Sequence, residues 1–163
     1  MSAVAVVLLT AAALLQVTLV GRLEPWIPEP NLVLALVIAR SFVHESRSGM
    51  LWGLAGGLML DLAGTGPLGV HALAMLVAAY TAGLLAAAFD NGRALLAALA
   101  GAAGAACYSV VVLTAADSLG LADVTIRSAL PLVAGSTGAG AVLTVPVALL
   151  IRRFDRPREA PQW

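Results

Sequence analysis

Two residues of this sequence could do chemistry in otherwise apolar surroundings, Asp61 and His71, which flank the turn-forming run Gly64-Thr65-Gly66-Pro67. An acidic group within a membrane span costs about 2.5–3.5 kcal/mol on insertion scales, so it needs a partner or a watery setting. Two roles follow for Asp61. It could fix the turn by accepting hydrogen bonds from the Gly64, Thr65 or Gly66 N–H groups, or by meeting His71. Alternatively it could couple to proton or ion movement. That role calls for further ionisable groups at depth, and the sequence offers only His71, which favours the structural role. His71 has no neighbouring Cys or carboxylate pair, so it is a poor metal ligand set and reads as a hydrogen-bonded structural histidine. No Ser-His-Asp set, paired carboxylates or phosphate-cradling loop stands in the sequence. The connecting segments are too short to build a catalytic cleft, so neither an enzyme nor a cofactor or metal site is expected. Cys107 is the single cysteine. It excludes an internal disulfide and, inside an apolar run, reads as a packed thiol.

The elements that must position these residues are apolar helices. Of the 163 residues 61% are hydrophobic and 11% charged, and the mean hydropathy is +0.97. A soluble domain is nearer half apolar and a quarter charged, so the excess apolar surface calls for lipid. Length allows one domain. Six apolar runs separate at charged or turn-forming breaks: 3–20, 27–43, 49–63, 68–89, 94–116 and 129–151. A helix needs roughly 20 apolar residues to cross about 30 Å of hydrocarbon. The first run and the last three meet this; the second and third lean on their flanks. Glu24-Pro25-Trp26-Ile27-Pro28-Glu29-Pro30 cannot be helix interior and reads as a stiff surface segment with Trp26 at the interface. The third and fourth runs form a helical hairpin about the Gly64–Pro67 turn. No basic residue precedes the first run and no clear cleavage site follows it, so it reads as an uncleaved span.

Orientation follows from the nine arginines, there being no lysine. With the N-terminus inside, Arg40, Arg47, Arg93, Arg152, Arg153, Arg156 and Arg158 are cytoplasmic, and Arg22 and Arg127 are outside. This obeys the positive-inside rule and puts both termini in the cytoplasm. The expectation is therefore an all-α polytopic membrane protein of about six spans. Residues 1–153 would form the transmembrane domain and 154–163 a short cytoplasmic tail. Net charge is zero, and the basic cluster edges a span, so nucleic acid is not an expected partner.

Small residues recur four apart, which keeps them on one helix face where backbones approach closely. Gly49, Gly53 and Gly57 do so in the third run. Ala74, Ala78, Ala82 and Ala86 do so in the fourth, Ala97, Gly101 and Ala105 in the fifth, and Ser136, Gly140 and Thr144 in the sixth. Such faces serve either internal packing of the bundle or docking of another membrane protein. The Gly49-Gly53-Gly57 stripe is the more specific.

The stretch from Gly53 through Gly56-Gly57, Asp61, Gly64, Gly66-Pro67-Leu68-Gly69 and His71 to Leu73 resembles the signature of the rod shape-determining protein MreD family. Upstream, Pro30-Asn31-Leu32 resembles the family's Pro-Asp-Leu, with Asn31 where the family has an acid. The resemblance is motif-specific over about residues 30–73 and one of layout elsewhere. It implies a non-enzymatic subunit of the bacterial elongation machinery in the cytoplasmic (inner) membrane. Such a subunit would bind the single-span protein MreC. Through MreC it would reach the MreB filament and the RodA–penicillin-binding-protein synthase of peptidoglycan. The family is also similar in fold to the substrate-binding subunits of energy-coupling-factor vitamin transporters.

That second likeness supplies a rival, a small-molecule-binding subunit of a vitamin-type transporter. Such a subunit needs a pocket with polar and aromatic anchors. Aromatics are 5% of this sequence, and the intramembrane tyrosines are Tyr80 and Tyr108. The scaffold reading leads.

Overall fold

The computed structural model describes residues 3–16, 18, 31–44, 46–64, 66–88, 94–121 and 125–154. They form six helices: α1 (Ala3–Leu15), α2 (Leu32–Val43), α3 (Ser46–Ala63), α4 (Val70–Ala88), α5 (Ala94–Ser118) and α6 (Ile126–Phe154). Each matches one apolar run, and the boundaries differ for physical reasons. α2 begins at Leu32, after the proline-rich segment, because Asn31 caps it by accepting the Leu34 N–H at 2.8 Å. α6 runs beyond its apolar run at both ends and carries Arg152 and Arg153 in its last turn. It also holds two prolines, Pro131 and Pro146. In a lipid-exposed helix the carbonyls such prolines leave unpaired are tolerated where neighbours or local adjustments re-satisfy them. The expected tail begins within α6, and its residues after 154 lie outside the described ones, as do Trp26, Pro30 and Thr65.

Among the described residues three helices are long and apolar enough to cross a membrane: Val70–Ala88, Ala94–Ser118 and Ile126–Arg153. The described part of the first run is shorter than the span expected of it. α1 has 13 residues and α2 has 12, about 20 and 18 Å of rise, each short of the hydrocarbon thickness on its own.

The shortest described helix lies at the centre. α2 touches all five others, while α1, α3, α4, α5 and α6 follow one another around it. Val33, Val37, Ile38, Ala39 and Ser41 of α2 are wholly buried. A polar Ser41 is stable there because its hydroxyl donates to the Ala79 carbonyl of α4 at 2.5 Å. The alanines spaced along α4, Ala74, Ala78, Ala82 and Ala86, are all buried. Between α5 and α6 small residues let the backbones meet. A Cβ on Gly101 would strike the Gly140 carbonyl oxygen, and one on Gly140 would lie 2.5 Å from the Ala105 Cβ. Beside this contact Ser109 and Ser136 join their hydroxyls at 2.6 Å. The outward positions of α3 are Leu51, Leu54, Leu58 and Leu62, all exposed. Leucine at spacings of three and four makes an exposed apolar stripe opposite the glycines.

Candidate functional site

The motif residues converge where α3 hands over to α4. Asp61 lies twelve residues beyond Gly49, about 18 Å along α3. It is 3% exposed, so its carboxylate must be satisfied from within. The donors are the first N–H groups of α4. Oδ2 accepts from Gly69 at 2.9 Å and from Ala72 at 3.2 Å, and Oδ1 accepts from His71 at 3.1 Å. The opening N–H groups of any helix lack intrahelical partners, and the helix dipole places partial positive charge there. Asp61 is therefore an N-terminal cap supplied by the preceding helix.

This differs from the sequence expectation in one respect. The turn glycine Gly64 donates to the Leu60 carbonyl at 2.8 Å, and the carboxylate reaches past the turn to Gly69, His71 and Ala72. His71 meets Asp61 through its backbone N–H, not its ring. The ring turns to α5, where Nδ1 lies 2.8 Å from the Tyr108 hydroxyl and the two rings stack with centroids 5.9 Å apart. Asp61 and His71 thus tie three successive helices together at one height. Gly69, Ala72 and Tyr108 are the partners in this group that the sequence did not point to.

The glycines set how closely α3 approaches its neighbours. A Cβ on Gly57 would overlap the Ala72 backbone, and one on Gly53 would lie 3.0 Å from the Met75 carbonyl oxygen. Those two face α4. Gly49, one turn lower, faces α2, where a Cβ would strike Ser41. Gly56, outside the four-residue stripe, faces α2 and α1: a Cβ there would lie 2.7 Å from a Val33 methyl and 3.3 Å from a Leu9 methyl. The stripe is therefore occupied by elements of this chain, and close packing of α4 on Gly57 brings its first turn within reach of Asp61. Gly66 and Pro67 are exposed in the turn, and Gly69 has φ +95°, a conformation suited to glycine.

A second helix start is held in the same way. Besides its own cap Asn31, α2 has its Val33 N–H directed to Gln16 Oε1 at 3.3 Å. Asn31 supplies the acceptor oxygen that a cap requires, as an Asp at this position would. Among the described residues no group of three or more His, Cys, Asp or Glu could hold a metal ion.

The family model described as rod shape-determining protein MreD matches residues 1–154 of this chain. None of the curated proteins and none of the solved structures matches it.

Proposed function

Because the chain belongs to the rod shape-determining protein MreD family, we propose that it is a non-enzymatic membrane subunit of the cell-elongation complex. In this role it holds a single-span MreC-type partner in the bacterial inner membrane. Through that partner it connects the MreB filament with the RodA–penicillin-binding-protein synthase. The match over nearly the whole chain carries this reading. The packing supports it: Ser41, Asp61, His71, Ser109 and Ser136 direct their polar atoms to neighbouring helices, the economy of a rigid platform. We propose further that all six helices are membrane-embedded with both termini cytoplasmic, in a layout like that of the energy-coupling-factor substrate-binding subunits. The arginine distribution and the six helices support that topology.

The rival, a vitamin-type binding subunit, separates from the scaffold in one experiment. The full chain is purified from its native membrane in mild detergent and weighed by native mass spectrometry. Co-purification of a single-span coiled-coil protein supports the scaffold. A vitamin-sized adduct without such a protein overturns it.

A further inference from the structure

Most hydroxyl groups of this bundle have partners. Thr81 donates to the Ala78 carbonyl at 2.9 Å and Thr137 to the Val133 carbonyl at 2.6 Å, while Ser41, Tyr108, Ser109 and Ser136 reach neighbouring helices. Two depart from this pattern. Among the described residues the hydroxyls of Thr144 and Tyr80 have no hydrogen-bond partner. Thr144 is wholly buried in the contact of α6 with α5, its Oγ1 2.6 Å from where a Cβ on Gly101 would stand, so nothing from outside reaches it. Tyr80 is the opposite case, 50% exposed on the outer side of α4.

The depth of Tyr80 gives this its meaning. Among the described helices α4 is one of those long and apolar enough to cross a membrane. Tyr80 stands ten residues after its start at Val70 and eight before its end at Ala88. That is about 15 Å from one end and about 12 Å from the other, the middle of roughly 30 Å of hydrocarbon. Tyrosine is ordinarily placed at the membrane–water interface, where its hydroxyl is wet. From the middle the side chain is too short to carry the hydroxyl to the headgroups, and acyl chains offer it no acceptor. Thr81, at the same depth, is satisfied by its own helix, which the rigid ring of Tyr80 does not allow. What can satisfy the Tyr80 hydroxyl at that depth is another protein segment.

We infer that the outer face of α4 seats the transmembrane helix of the single-span partner, with the Tyr80 hydroxyl donating to an acceptor on that helix; this rests on the scaffold role proposed above. The acceptor is a Ser, Thr, Asn or Gln side chain, or a carbonyl left open beside a small residue, the groups through which helices bond one another in lipid. The face has the shape for one helix. Leu73, Val77, Tyr80, Leu84 and Ala87 follow one another at spacings of four, three, four and three, the seam along which two helices interdigitate at a shallow crossing angle. Leu73, Tyr80, Leu84 and Ala87 are exposed and Val77 is half-buried. α3 and α5 pack on α4 from its other sides and leave this row uncovered.

The test co-expresses the full chain with an MreC-type protein and sets a photo-crosslinking residue in place of Leu73, Tyr80, Leu84 or, near the middle of α6, the exposed Val142. Crosslinks to the MreC-type protein are expected from Leu73, Tyr80 and Leu84 and not from Val142. Tyr80→Phe, which keeps the ring, should weaken the association about threefold, the scale of one hydrogen bond between helices in lipid. Fluorescence energy transfer between the two full-length proteins in liposomes reads that affinity, and an unchanged melting temperature verifies that the variant folds. Crosslinks from Val142 alone overturn the choice of face and leave the scaffold role standing, whereas parent proteins that show no energy transfer remove the scaffold role as well. Crosslinks from the α4 positions only to a second copy or only to lipid, or an unchanged affinity in Tyr80→Phe, also overturn the assignment.

Discussion

Gly57 of α3 lies against Ala72 of α4 with no space for a methyl group between them, since a Cβ on Gly57 would overlap the Ala72 backbone. Backbone cannot yield as a flexible side chain can, so Gly57→Ala should destabilise the protein by about 1–3 kcal/mol, and Gly57→Leu by more. Gly53→Leu meets the Met75 carbonyl and should also destabilise. Leu58→Ile, on the exposed side of α3, should change little. Thermal unfolding in detergent measures all four. If Gly57→Ala melts with the parent protein, the close approach of α3 and α4 has no energetic role.

The turn offers a contrast that separates backbone strain from packing. A Cβ on Gly66 or on Gly69 meets nothing within 4 Å, so space forbids neither substitution. Gly69 differs in its φ of +95°, which costs an alanine of the order of 1–3 kcal/mol. Gly66→Ala should be near neutral, within about 0.5 kcal/mol. Equal melting temperatures for the two variants would remove conformation as the reason for glycine at 69.

Tyr108 should count through its hydroxyl. Tyr108→Phe keeps the stacked ring and deletes the 2.8 Å contact with His71 Nδ1, for an expected loss of about 0.5–1.5 kcal/mol. A double-mutant cycle with His71→Leu isolates the pair, because residues in direct contact couple while distant ones add. A coupling energy indistinguishable from zero would show that the bond does not hold α4 to α5.

Much of this arrangement was legible in the sequence because lipid enforces simple rules. Apolar runs broken by charges marked all six helices, and the wholly buried Ala74, Ala78 and Ala82 were visible as a four-residue repeat. Of the donors to Asp61, His71 was among the partners the sequence offered, whereas Gly69 and Ala72 were not legible. Spacing brings Gly64, Thr65 and Gly66 nearest in sequence, but the orphan N–H groups belong to the start of α4, and only the packing at Gly57 brings that start under the carboxylate. Tyr108 was hidden for the same reason, since its pairing with His71 spans 37 residues and no periodicity reports it. The central position of α2 was hidden too. A short apolar run does not reveal whether it faces lipid or five other helices.

The arginine distribution makes a topological prediction. A reporter fused after Trp163 should report the cytoplasm, and one inserted between Asp117 and Asp123 should report the outside, because seven of the nine arginines then lie inside. The reversed pair of results would overturn the proposed orientation.

The last prediction concerns Asp61, where the geometry distinguishes two substitutions. Its Oδ2 holds Gly69 and Ala72 and its Oδ1 holds His71, so both oxygens are in use. Asp61→Asn retains a single acceptor oxygen, which can serve one side of the cap while the amide NH2 faces the other. It also removes the negative charge that complements the start of α4. Asp61→Leu leaves all three N–H groups without their acceptor, at about 1–3 kcal/mol for each one that stays buried. A capping role therefore predicts a graded series, with Asn less stable than Asp and Leu much less stable than Asn. Cell-shape complementation should fall in the same order. A role in proton coupling predicts another pattern, in which the Asn variant folds as well as the parent and loses activity completely because an amide does not titrate in this range. Melting temperature and complementation, measured on both variants, separate the two. A fully stable and wholly inactive Asp61→Asn protein would overturn the capping account, whereas stability and activity declining together from Asp to Asn to Leu would fix Asp61 as the residue that starts α4.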